Sequence, residues 1–247
     1  MRKLVVANWK MQMTVRESAR VAKTFTRRKW PFGIEVAIAP SYLALSVVGQ
    51  TLRGSALKLA AQDASPEQRG AFTGEVSPQD LKELGVRYVL VGHSERRRFF
   101  LETDELVSHK VQAVADVGMV PILCVGETRE ERESGMTWEV VSRQVSKALP
   151  KNFPKQGLVI AYEPVWAIGT GKAAKPADAS AVHRDIAALL EKRFGASSDA
   201  CRILYGGSVD AKNAAAFAAE ERVDGFLVGG ASLKAESLAA IAGACLL

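Results

Sequence analysis

The 247-residue chain places five groups of polar or glycine residues directly after short apolar runs, and their types suit proton transfer and anion binding. Asn8, Trp9 and Lys10 put an amide and an ammonium after the run Leu4 to Ala7. Gly92-His93-Ser94-Glu95-Arg96-Arg97 puts an imidazole and a carboxylate after Tyr88 to Val91. Glu163 follows Ala161-Tyr162, and Gly206-Gly207-Ser208 and Gly229-Gly230 close two later runs. Imidazole and carboxylate groups exchange protons near neutral pH, while an ammonium and open backbone amides attract anions. Each group also has a plainer reading. Lys10 suits a surface loop, His93 a core or capping position, and Glu95 either a contact with Lys10 or the solvent; the glycine pairs suit tight turns.

Glu163 heads the most informative segment, Pro164-Val165-Trp166-Ala167-Ile168-Gly169-Thr170-Gly171-Lys172. Pro164 restricts the residue before it, whereas Gly169 and Gly171 permit backbone conformations that other residues resist. The apolar residues between can pack over a site or against a wall. The segment's Gly-Lys ending imitates a P-loop, but Trp166 occupies the position of the required first glycine and Ala173 that of the Ser or Thr.

These groups need a scaffold that brings distant loops together. Apolar runs recur at Leu4 to Ala7, Val36 to Ala39, Leu57 to Ala61, Tyr88 to Val91, Val120 to Val125, Leu158 to Ala161, Arg202 to Tyr205 and Gly225 to Val228. Between them, Val15 to Arg28, Thr103 to Val117, Trp138 to Leu149, Ala177 to Phe194 and Ala211 to Ala219 carry apolar residues at helical spacing. Ser77 before Pro78 and Thr103 before Asp104 are helix-start signals, and Gly118 and Gly195 are stop signals. Continuous apolar strands alternating with amphipathic helices imply a parallel sheet covered by helices. Eight such units predict an α/β fold of the (β/α)₈ barrel type, a closed parallel eight-stranded barrel surrounded by helices. A doubly wound dinucleotide fold would carry a glycine fingerprint after its first strand, where this chain has Asn8-Trp9-Lys10. In a barrel, loops leaving the carboxyl ends of the strands share one face, so the five groups can meet there.

No composition change divides the chain, which predicts one domain over residues 1–247. The net charge of +6 arises from 33 basic and 27 acidic residues mixed throughout, so no basic arm forms. Arg87, Arg96, Arg97 and Arg98 lack the interleaved stacking aromatics of a nucleic-acid surface, and no nucleic-acid partner is expected. No apolar run approaches the roughly 20 residues needed to span a bilayer, and Leu4 to Ala7 is too short for a signal core. Neither membrane association nor export is expected, and a cytoplasmic location follows. Cys124, Cys201 and Cys245 form no metal-ligand spacing with His93, His109 or His183; they read as reduced thiols, and His109 and His183 as structural.

Several motifs in order resemble the triosephosphate isomerase family across nearly the whole chain. They are Asn8-Trp9-Lys10-Met11, Gln62 to Glu75 with Gly70-Ala71-Phe72-Thr73-Gly74-Glu75, Gly92 to Arg97, Ala161 to Lys172, Tyr205 to Val209 and Leu227 to Ala231. The resemblance implies isomerisation of dihydroxyacetone phosphate and D-glyceraldehyde 3-phosphate without cofactor or metal. It implies Glu163 as base, His93 as electrophile and Lys10 as substrate-binding lysine, with Asn8 a supporting polar contact and Glu95 the partner of Lys10. It also makes Pro164 to Lys172 a lid and sets the phosphate against amides near Gly169, Ser208, Gly229 and Gly230. This family is itself a reference example of such acid–base pairing and lid closure. A homodimer is implied as well, with the loop bearing Thr73 against the partner. Gln12 departs from the Asn common after the methionine, a change beside the site. Two other readings stand beside this one: a barrel isomerase acting on a larger sugar phosphate, and a catalytically inactive barrel used as a binding scaffold.

Overall fold

A computed structural model describes residues 1–150, 152, 154–167 and 174–246. Eight parallel strands close into a barrel in the order β1 to β8. They are β1 (Lys3–Asn8), β2 (Ile34–Ala39), β3 (Lys58–Ala61), β4 (Val86–Val91), β5 (Val120–Val125), β6 (Val159–Tyr162), β7 (Arg202–Tyr205) and β8 (Gly225–Val228). All eight expected strands are present, with ends displaced by at most two residues. The barrel closes where Leu4 of β1 registers with Gly225 of β8.

Period-two alternation explains why the strands are apolar throughout. Leu4, Val6, Ala37, Ala39, Tyr88, Leu90, Ile122, Cys124 and Leu204 belong to one buried cluster. Their neighbours Val5, Ala7, Val36, Ile38, Val89, Val91, Leu123 and Ile203 join the helices in a second. One face of each strand therefore fills the barrel and the other packs beneath the helical layer. Full burial of a Val or Leu side chain contributes roughly 1.5–3 kcal/mol, and a one-residue slip would exchange the two faces everywhere, so register is strongly specified. The same alternation carries Asn8, two residues beyond Val6, to the barrel mouth.

The helices include α1 (Val15–Thr26), α2 (Leu45–Leu52), α3 (Pro78–Glu83), α4 (Ser94–Phe99) and α5 (Asp104–Asp116), followed by α6 (Arg129–Glu133), α7 (Thr137–Ala148), α8 (Pro176–Phe194), α9 (Ala214–Ala218) and α10 (Ala235–Ala244). Thr14 and Glu17 form a capping box on α1, Ser77 caps α3 ahead of Pro78, and Thr103 caps α5. The helix expected over Ala211 to Ala219 is shorter. Asp210 Oδ1 accepts the amides of Lys212 and Asn213, and Asn213 Oδ1 accepts that of Asp210, so side chains hold this stretch in a turn until Ala214. No helix among the described residues is long and apolar enough to cross a membrane.

Candidate active site

Strand ends and loops at the carboxyl side of the barrel enclose a cavity of about 300 Å³ lined by Asn8, Lys10, His93, Glu163, Ser208 and Gly229, with Gly230 beside them. Residues separated by more than 200 positions thus share one chamber. Of the expected substrate-binding residues, Gly169 lies outside the described residues, as do Ile168, Thr170, Gly171 and Lys172 of the expected lid.

His93 stands just past β4 and caps α4, its Nδ1 accepting the backbone N–H of Glu95 at 3.2 Å. An Nδ1 that accepts an amide proton carries none itself, so the geometry fits a neutral ring protonated at Nε2. That Nε2 lies 3.0 Å from Oε1 of Glu163, and Oε2 accepts the N–H of Ser94 at 2.9 Å. His93 and Glu163 are buried. Burial opposes ionisation of Glu163, but the His93 ring and the Ser94 hydrogen bonds outweigh it and hold the carboxyl below its ordinary pKa. Burial likewise opposes protonation of His93, while the Glu163 carboxylate favours it and lifts the ring above the ordinary histidine value. Moving the Glu163 carboxylate away removes the larger part of that lift; burial, the Glu95 amide and the Lys10 cation then favour the neutral imidazole against the Glu95 carboxylate, 3.8 Å from Nδ1.

The backbone around Glu163 depends on a close approach. Its N–H donates to the Val125 carbonyl at 2.7 Å, and a side chain at Gly126 would bring its Cβ within 1.7 Å of the Glu163 carbonyl oxygen. Only glycine permits this contact.

Lys10 adopts φ 51°, an uncommon left-handed value for a residue with a side chain. Two amides hold it there: Asn8 Oδ1 accepts its N–H at 3.1 Å, and Gln62 Nε2 donates to its carbonyl at 2.9 Å. Its ammonium donates to Glu95 Oε1 at 2.5 Å, so the expected pairing is present. A Cβ built on Gly229 would lie 3.9 Å from Lys10 Nζ, which places the cation beside the β8 turn. A short 3₁₀ turn starts at Gly230, and the first amides of such a turn lack partners within it. The Lys10 cation and the start of this turn therefore line the same cavity as His93 and Glu163.

The beginning of the expected lid is anchored. Pro164 and Ala167 are buried, and Val165 and Trp166 partly so. Trp166 Nε1 donates at 2.8 Å to Glu127, a buried carboxylate that also accepts from the Tyr162 hydroxyl. Arg132 lies over the Trp166 ring at 4.3 Å. Ser208 Oγ donates to the Ala167 carbonyl at 2.6 Å, joining this stretch to the turn after β7. On the far side, the Ala174 N–H donates to the Tyr205 hydroxyl.

Sequence reading did not single out Glu127, the Gln62 side chain or the Ser94 amide. Glu127 had a usable signal, since Gly126-Glu127 follows an apolar strand as Gly92-His93 does. Thr73 is placed apart from the cavity, exposed on the loop between β3 and α3. His183 is buried as expected of a structural residue, His109 is exposed on α5, and all three cysteines are free and buried.

A closed β/α barrel with paired acid–base groups and a cationic, amide-rich pocket at the carboxyl ends of its strands defines a barrel enzyme that handles anionic substrates. The family model described as Triosephosphate isomerase matches residues 3–245. Over 243 residues the chain is 48% identical to a protein named triosephosphate isomerase from Aquifex aeolicus (strain VF5), covering 98% of each chain. A protein of the same name from Chlorobium luteolum is 51% identical over 243 residues, 97% of each. One from Carboxydothermus hydrogenoformans is 51% identical over 246 residues, 98% of each. The chain belongs to the triosephosphate isomerase family.

Proposed function

We propose that this protein, acting as one barrel domain over residues 1–247, interconverts dihydroxyacetone phosphate and D-glyceraldehyde 3-phosphate through an enediol(ate). The observation that carries the reading is the 3.0 Å approach of His93 Nε2 to Glu163 Oε1 in the chamber that also holds Lys10. In this arrangement the two groups satisfy each other. A substrate oxygen that takes the His93 N–H releases the carboxylate to reach the proton on the neighbouring carbon.

Glu163 removes that proton, and His93 donates to the oxygen where negative charge grows. One well-aimed donor at such an oxygen contributes about 3–4 kcal/mol to the transition state. Returning the proton to the adjacent carbon completes the aldose–ketose exchange. Both electrons stay on the substrate, so the reaction needs no hydride acceptor. Lys10 supplies positive potential, with Asn8 supporting its position and Glu95 its charge. Amides at Gly169, Ser208, Gly229 and Gly230 hold the phosphate. Pro164 to Lys172 closes as a lid that excludes water during the reaction.

The reading includes a cytoplasmic homodimer in which the loop carrying Thr73 meets the partner. The exposed ring of Phe72 on that loop supports it, and the reduced cysteines fit the compartment. The test is to offer metal-free protein each triose phosphate separately, follow conversion in both directions, and run larger sugar phosphates alongside. Conversion of only a larger sugar phosphate would replace this substrate assignment.

A further inference from the structure

The opposite end of the barrel has a cavity of its own, of about 560 Å³. Its wall includes Arg2, which precedes β1, Glu35 near the start of β2, Arg87 and Tyr88 at the start of β4, Lys155 ahead of β6, and Arg202, the first residue of β7. Four cationic side chains thus face one carboxylate. The imbalance is local, because acidic and basic residues are otherwise mixed along the chain.

Arg202 is the built part of this site. Only 9% exposed, it donates from Nη1 to Glu35 at 2.9 Å and from Nη2 to the Tyr88 hydroxyl at 2.6 Å. Its guanidinium also lies over the Tyr88 ring at 5.4 Å, with Arg87 at 6.0 Å from the same ring. Glu35 is therefore committed to Arg202, and a guanidinium carries further N–H donors beyond those two. Arg2, Arg87 and Lys155 have no carboxylate among the lining residues other than Glu35. Arg87 instead makes a long contact, 3.4 Å, to the neutral amide of Gln156.

We propose that the amino-terminal end of the barrel binds a diphosphate group between Arg2, Arg87, Lys155 and Arg202. Arg87 and Arg202 lie in β4 and β7, while Arg2 and Lys155 lie just ahead of β1 and β6, so the cations reach the cavity from four stations of the closed ring, of which only those of β6 and β7 are neighbours. A single compact anion meets only part of that ring. Two linked phosphates bring several oxygens at once and offer bidentate partners to the arginines. A concave cationic site bordered by protein also concentrates anions more strongly than the same charges on a flat face. The volume admits more than one phosphoryl group.

The group can come as free pyrophosphate or at the end of a nucleotide, so calorimetric titrations with inorganic pyrophosphate and with ADP form the two arms. The carboxyl-end chamber is a competing anion site, and two variants separate the ends: Lys10→Ala at the mouth, and the double variant Arg87→Ser/Lys155→Ser at the opposite end. The expected result is one salt-sensitive site per chain that survives K10A and weakens at least about tenfold in R87S/K155S. Turnover and melting temperature of the double variant should match the parent's. Binding of pyrophosphate alone supports a free-anion site, and binding of ADP as well supports a nucleotide diphosphate. Binding lost in K10A but intact in R87S/K155S overturns the proposal by placing the anion at the barrel mouth, and absence of binding in both arms overturns it outright.

Discussion

His93 Nε2 and Glu163 Oε1 are 3.0 Å apart although 70 positions separate them, and the Glu163 carboxylate is held from its other side by the Ser94 amide. The proposed base and the proposed electrophile are therefore hydrogen-bonded to each other. His93→Gln keeps a hydrogen-bond donor but loses the ring and its Nδ1 acceptor for the Glu95 amide. Turnover of H93Q should fall by about 10²-fold or more, with the fold unchanged by circular dichroism. Full turnover in H93Q would remove His93 from the electrophile's role.

A second histidine gives the pH dependence of stability. His183 is fully buried and contacts the Arg222 carbonyl through Nδ1 at 2.9 Å. Burial pushes its pKa down from 6.5 to about 4. An unfolded chain takes up this proton near pH 6.5 while the folded one does not. The stabilising contribution is thus complete above about pH 6.5 and declines as pH falls toward 4, by on the order of 3 kcal/mol across the window. Urea unfolding of His183→Gln should show a shallower loss of stability between pH 7 and pH 4.5 than the parent. Equal slopes would assign the acid sensitivity elsewhere.

The proposed dimer rests on the loop between β3 and α3, where Thr73 is exposed beside Phe72. Thr73→Arg adds bulk and charge to that contact and should shift sedimentation of micromolar protein from dimer toward monomer, with reduced turnover. A parent that sediments as a monomer contradicts the dimer, and an unchanged dimer in T73R contradicts the contact.

Ala167 and Ala174 are both tied to the β7 side of the site, through Ser208 and Tyr205. Removing Ile168 to Thr170 and joining the ends should leave Glu163 and the barrel in place while impairing closure. The enediol then has time to expel its phosphate. Slower isomerisation with a larger share of methylglyoxal plus inorganic phosphate is expected in the product mixture. If the shortened protein turns over with the parent's product ratio, the lid does not control the intermediate.

The sequence made the strands legible because each is an apolar run bounded by polar or glycine residues, and the barrel follows from their repetition. It also singled out Lys10, His93 and Glu163, each just past the end of an apolar strand, and the barrel brings the three into one cavity. Pairings set by closure of the barrel were not legible. Nothing in the spacing of Gln62 and Lys10 shows that one amide holds the other's strained backbone, or that the Ser94 N–H holds Glu163. Glu127 carried the positional signal of a strand end, but the partners that bury it, Tyr162 and Trp166, are set by folding and not by spacing. The cationic end of the barrel was hidden for the same reason, its residues being spread from Arg2 to Arg202.

Glu163→Asp isolates the role of the base, because it keeps the charge and withdraws the carboxylate by one methylene. The measurement is the turnover number for dihydroxyacetone phosphate in parent and variant, with substrate affinity and melting temperature recorded on the same preparations. A displacement of about 1 Å at the reacting proton costs on the order of 10²-fold, so kcat should fall by at least that factor while affinity and folding change little. Near-normal kcat in a folded, substrate-binding E163D protein would contradict the assignment of Glu163 as the group that removes the proton.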